Sequence, residues 1–206
     1  MQLKTVFKAG VVMLVAFFAI ESIRTSFSPQ HASPAALATR AALQVPVQGP
    51  TDKPAFAFKG FQIQPLARFS IDAKVLSRED YYLGREAELA PMDLALGWKR
   101  MAEPAVYRQL DITQGRRWYF YRWRDAPPIP VQEIVESSAN MHLIPANAAV
   151  EKTLNRAREG ATVRLSGHLV QASDASGWRW TSSLSRTDSG ANSCELVFVE
   201  SAQVQD

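Results

Sequence analysis

The sequence predicts a β-rich α+β domain: a small, partly open antiparallel barrel with one main helix, preceded by an N-terminal transmembrane helix. Three observations predict it. Residues 162–199 hold three β-prone runs separated by the turn-forming groups Ala175-Ser176-Gly177 and Asp188-Ser189-Gly190. Residues 117–124 read Arg-Trp-Tyr-Phe-Tyr-Arg-Trp-Arg, a composition that fits a pleated, half-buried surface. Residues 148–159, opened by Asn147 and closed by Gly160, carry the best helix signal in the chain.

Each run of the first stretch alternates. Val163, Leu165, Gly167 and Leu169 interleave with Arg164, Ser166 and His168, a period of two with one apolar face. Gly167, in mid-strand, marks a bulge or sharp bend. Trp178 and Trp180 share a face opposite Arg179, and Cys194, Leu196 and Phe198 alternate with Glu195, Val197 and Val199. An antiparallel meander over these three runs is expected.

From the N-terminus, residues 9–20 are an unbroken apolar run with Lys4 and Lys8 ahead of it. No small-x-small cleavage pattern follows closely, and extension over residues 6–23, with Lys8 and Arg24 snorkelling, gives about one bilayer crossing in helical rise. Residues 1–24 are therefore expected to be an uncleaved signal anchor, with the lysines cytoplasmic and the rest of the chain outside, in the periplasm if the cell is bacterial. Residues 25–54, with Pro29, Pro34, Pro46, Pro50 and Pro54, read as a tether. Residues 55–206 read as one globular domain. Within it, strands are expected at 55–63 and 66–76, broken by Gln64-Pro65, then a polar loop at 77–82. A weakly signalled helix follows at 91–96, and short helices at 104–110 and 132–138. Val150, Leu154 and Ala157 mark the buried stripe of the main helix.

Composition narrows the function classes. The chain has 206 residues and a formal charge of +3, which permits a polyanionic partner without requiring one. One cysteine excludes an intramolecular disulfide, and three scattered histidines give no metal-ligand spacing, so no metal or cofactor is expected.

Three places could carry chemistry. Trp118, Tyr119, Tyr121, Arg122, Trp123 and Arg124 interleave aromatic faces with guanidiniums, as a platform for stacking and anion pairing requires. On a small barrel this resembles an oligonucleotide/oligosaccharide-binding (OB) fold, although a structural strand with one aromatic face in the core would alternate in the same way. His142 and Cys194 could form an imidazole-activated thiol, with Asp188 or Asn140 orienting the ring. The opposing reading is a thiol buried at the head of an apolar strand. Thr181, Ser182, Ser183, Ser185, Arg186 and Asp188 could form a ligand rim, with Trp178 as a further ligand-binding candidate; Asp188 before Ser-Gly also has a plain account as turn chemistry.

The segments Ser138-Ala-Asn-Met-His-Leu-Ile-Pro-Ala, Gly177-Trp-Arg-Trp-Thr-Ser-Ser-Leu and Asp188-Ser-Gly through Cys194-Glu-Leu resemble a group of small, membrane-anchored bacterial proteins of unassigned activity, over residues 66–200. The resemblance implies an envelope protein held in the inner membrane through residues 6–23, and brings no reaction with it. The leading expectation is a tethered binding or assembly module without catalytic activity, with an envelope protein or glycan as partner. A thiol-dependent hydrolase or transferase using Cys194 and His142 is the alternative, and single-stranded nucleic-acid binding applies only to a cytoplasmic domain.

Overall fold

The computed structural model describes residues 44–185 and 194–206, and these form a β-rich α+β structure. Five long pairings organise it. Strand β3 (Phe61–Asp80) runs antiparallel to β4 (Met92–Gly97), which runs antiparallel to β7 (Ser138–Pro145). Strand β7 is parallel to β10 (Glu195–Gln205), which is antiparallel to β8 (Thr162–Ser173). Strand β8 then pairs antiparallel with β3, so the path returns to its starting strand. The alternation of β3 supplies the reason: Phe69, Ile71, Ala73 and Val75 turn inward to meet Leu94, Leu96, Met141, Leu143, Val163, Leu165 and Val197. Burying each large aliphatic group here contributes about 1.5–3 kcal/mol.

The expected irregularity at Gly167 has a specific cause. A Cβ at this position would meet the Phe198 carbonyl oxygen at 1.9 Å, because β10 crosses β8 at close range. The register of β10 slips between Val199 and Ser201, opposite Gly167, so the bulge lies on the partner strand.

Several expectations are corrected. The helix at 91–96 is the strand β4, with all six residues buried. A strand covered on both faces reads as an apolar run, not as an alternation, and the period-two signal is lost. Gln64-Pro65 does not break the chain. Strand β3 continues through it with a register shift between Pro65 and Ala67, where the missing proline N–H is tolerated, and it runs on to Asp80 through the expected polar loop. Residues 55–63 are divided instead by the Lys59-Gly60 turn between β2 (Phe56–Phe58) and β3. The meander is not a simple one. Strand β9 (Arg179–Thr181) pairs with residues 171–173 of β8, and β10 passes to join both β8 and β7. Strand β1 (Val47–Gly49) lies in the stretch read as tether and pairs with Arg68–Ser70 of β3.

Short helices decorate the connections. Helix α1 (Arg85–Leu89) lies between β3 and β4. The β4–β7 connection holds a 3-10 turn (Lys99–Ala102), α2 (Pro104–Tyr107), a two-stranded hairpin of β5 (Asp111–Gly115) and β6 (Trp118–Arg122), and α3 (Val131–Glu136). Its apolar side groups Met101, Val106, Leu110, Ile129 and Ile134 with Leu76 and Ala95 from the ring. Helix α4 (Ala148–Leu154) is capped as expected, with Asn147 Oδ1 accepting from the N–H groups of Ala149 and Val150 at 3.0 Å, but it ends earlier than the sequence predicts. Among the described residues no helix is long and apolar enough to cross a membrane; the segment at 6–23 expected to do so lies outside them.

Candidate functional site

The centre of the polar architecture is the outward side of β4 and β7. The inward positions of these strands are apolar, so by alternation Asp93 and Ala95 on β4, and Asn140 and His142 on β7, face the opposite way. Asp93 has no exposed surface at all. A lone buried carboxylate is costly unless it is paired and hydrogen-bonded. Arg117 supplies the pairing, with Nη1 donating to Asp93 Oδ1 at 2.6 Å. Asn140 Nδ2 donates to Oδ2 at 3.2 Å. His142 Nδ1 lies 2.9 Å from the same oxygen, close to it but out of line for a hydrogen bond.

Arg117 belongs to the turn of the β5–β6 hairpin. Gly115 faces Trp118 across the ladder, which leaves Arg116 and Arg117 as a two-residue loop. Both have positive φ, 54° and 69°. Such a turn favours Asn-Gly, and a non-glycine residue there costs about 1–2 kcal/mol. The contacts of Arg117 oppose that strain. Its backbone N–H donates to Tyr81 Oη at 3.0 Å, and its carbonyl accepts from Asn140 Nδ2 at 3.0 Å and from the Cys194 thiol at 3.8 Å. Its Nη2 donates to the Ala90 carbonyl at 2.9 Å. The guanidinium carbon lies 3.7 Å from the Tyr81 ring centroid and 5.3 Å from that of Trp180. Gln114 adds a 2.6 Å bond to Asn140 Oδ1. The hairpin is thus pinned onto the β4–β7 face.

Pinning fixes which side of the hairpin faces out. Tyr119 and Tyr121 turn inward onto the apolar group of the β4–β7 connection. The Tyr119 hydroxyl donates to Ser138 Oγ at 2.6 Å, the serine itself donating to the Ile134 carbonyl. Burial raises the pKa of both phenols, and that of Tyr81 is pushed up to about 12, by burial first and the Asp93 charge second. Trp118 and Phe120 turn outward, 39% and 52% exposed, and Trp123 just beyond β6 is 36% exposed. Two open grooves lie by the hairpin. One, of about 520 Å³, is bounded by Arg116, Trp118 and Phe120 at the turn; the other, of about 540 Å³, lies at the open end by Arg122, Trp123 and Arg124.

The residues named from sequence therefore separate. Trp118, Arg122, Trp123 and Arg124 are exposed, Trp118 at the turn end of the hairpin and the other three at its open end. Tyr119 and Tyr121, expected on the same ligand surface, are core-facing, because alternate residues of a strand face opposite ways. Trp178 sits elsewhere, half-buried against the Phe61 ring and beneath Arg85. Arg186 and Asp188 lie outside the described residues. His142 is 3% exposed and lies under the Trp180 ring, 4.8 Å between centroids, next to Asp93; no exposed imidazole is available there to a substrate. Cys194 is half-buried and lies on the same side of the sheet, since Leu196 is the strand neighbour of His142. Among the described residues no group of three or more His, Cys, Asp or Glu could hold a metal ion.

Comparison with protein-family models, curated proteins and solved structures finds no match.

Sequence reasoning missed Asp93, Arg117 and Tyr81 as a unit. One signal was present: Asp93 is the only charged residue within 89–97, an otherwise apolar run.

Proposed function

We propose that this chain is a membrane-tethered, non-enzymatic binding module of the bacterial envelope, with an OB-like domain that contacts its partner through the outer side of the β5–β6 hairpin. The observation that carries this is the division of one strand. Tyr119 and Tyr121 are consumed by the core, while Trp118, Phe120 and Arg122 on the same strand stay in solvent. A core has no need of that exposed set, and clustered exposed aromatic groups flanked by arginines are what recognition surfaces use.

The ring of strands supports the OB-like reading. An OB barrel is a five-stranded Greek key that binds ligands on the face of its second and third strands, under the connections one–two and four–five. Here the equivalent face is that of β4 and β7. It is covered by Tyr81 from the first of those connections, Trp180 from the second, and the hairpin's own Arg117 and Gln114. The usual face is filled from within the chain, which moves the available surface to the outside of the hairpin. The apolar run at residues 6–23 and its basic flank support the tether and the outward topology.

The test is the pair of substitutions Trp118→Ala and Phe120→Ala in the full chain, solubilised from the membrane in detergent and affinity-purified. Loss of co-purifying envelope components, at unchanged thermal stability, supports the module. Unchanged co-purification removes the hairpin from the account.

A further inference from the structure

The groove at the open end of the hairpin has a composition of its own. It is about 540 Å³ and is bounded by Arg108 and Gln109 after α2, Asp111 at the start of β5, and Arg122, Trp123 and Arg124 at the end of β6. Among the described residues, none of its three guanidiniums has a carboxylate within ion-pair distance. The groove sets three cations against one carboxylate, Asp111, and an anion entering it relieves the repulsion that remains. Trp123 stacks on Tyr121 with ring centroids 6.3 Å apart and planes inclined by 29°, and Tyr121 is itself packed on the core. One side of the indole is thus covered while 36% of its surface stays open.

We infer that this groove is a subsite for an acidic saccharide, a sugar ring bearing a carboxylate or phosphate. The inference rests on the hairpin reading and names the ligand class for it. The ring's apolar face stacks on Trp123, as flat amphipathic groups do on indoles. The acid group meets the forked donors of Arg122, Arg124 and Arg108, whose geometry matches carboxylate and phosphate oxygens. Asp111, opposite Arg122 in the ladder, and Gln109 offer acceptors for sugar hydroxyls. Each alternative leaves something unused. A neutral sugar leaves three guanidiniums unpaired, and a bare anion leaves the indole uncovered. A nucleic-acid strand needs successive stacking faces, while Trp118 and Phe120 border the separate groove at the turn.

The experiment uses the full chain in detergent micelles, titrated calorimetrically with oligogalacturonate, a polymer of a carboxylated sugar. Glucose oligomers of the same length, inorganic phosphate and oligo-dT serve as comparators. Oligogalacturonate is expected to bind more tightly than all three, and binding should weaken as salt is raised. Arg122→Ala with Arg124→Ala, and separately Trp123→Ala, should each weaken it by about tenfold or more, the loss expected for one charged or stacking contact. Circular dichroism of each variant establishes that it is folded, and Arg122→Lys with Arg124→Lys, which keeps the charge but not the fork, should recover part of the affinity. Absence of oligogalacturonate binding, equal affinity in the folded alanine variants, or tighter binding of oligo-dT or the neutral oligomer overturns the inference. If Trp118→Ala and Phe120→Ala still abolish co-purification of envelope components in that case, the hairpin reading survives and only the saccharide is wrong.

Discussion

Asp93 Oδ1 and Arg117 Nη1 lie 2.6 Å apart, the carboxylate fully buried on β4 and the guanidinium on a strained turn of the hairpin. The pair joins ring to hairpin, and its two halves are not equivalent. Removing the arginine leaves a charge in the interior without compensation, whereas removing both charges does not. Arg117→Met is expected to lower unfolding stability by about 3–5 kcal/mol. The double variant Asp93→Asn, Arg117→Met should recover part of that loss. Chemical denaturation followed by far-UV circular dichroism checks both; equal losses in the single and double variants would mean the ion pair is not what holds the hairpin.

Gly167 is required by contact, not by backbone angle. A Cβ there would overlap the Phe198 carbonyl, and a backbone atom cannot swing aside as a side chain can. Gly167→Ala should cost upwards of about 3 kcal/mol. Gly49, with nothing within 4 Å of a Cβ, should accept alanine at a cost within about 0.5 kcal/mol. Thermal melts of the two variants side by side would show whether the β8–β10 crossing is as close as described.

Alkaline pH should loosen the hairpin. Tyr81 and Tyr119 both have folded pKa values raised above the ordinary 10, Tyr81 to about 12, chiefly through burial. The folded state then holds its phenolic protons more tightly than the unfolded state does. This stabilising contribution is complete below pH 10 and is lost as pH rises toward the folded values. In a spectrophotometric titration at alkaline pH, part of the tyrosinate signal should appear late and together with unfolding. A single ionisation step complete near pH 10 would contradict the burial of these two hydroxyls.

Acid should loosen a different place. His168 lies beside Glu200, which also pairs with Lys53 ahead of β2. The folded pKa of His168 is lowered from 6.5, burial outweighing the favourable charge of Glu200. A depressed histidine contributes stability that is present above its unfolded pKa and lost as pH falls through the folded value. His168→Gln should therefore flatten the decline in stability below about pH 6.5. Melting temperatures of both proteins between neutral and mildly acidic pH provide the check; parallel curves would exclude His168 as a source of the decline.

The elements visible in the sequence were those with a period-two pattern or a capped helix signal. Period-two alternation exposed β8 and β10, and Asn147 and Gly160 bracketed the helix signal around α4. Strand β4 was hidden because both its faces are covered, and Pro91 with Asp93 imitated a helix start. The candidate site was half visible. The aromatic-basic composition of β6 was plain, but a composition does not say which alternate residues face the core; that is decided by Leu76, Ala95 and Ile134 beneath the hairpin. The polar centre was invisible because Tyr81, Asp93, Arg117 and Asn140 come from four separate segments that only the ring of strands brings together.

The outer side of the hairpin as contact surface is tested most directly by placing a photo-crosslinking amino acid at Trp118 in the full chain, with a second placement at Arg158 beyond α4 as reference. Irradiation of intact cells should give a discrete adduct from position 118 and none from 158. The adduct should disappear when Phe120→Ala is added. No adduct at 118, or equal adducts at both positions, would contradict a binding surface built on Trp118 and Phe120.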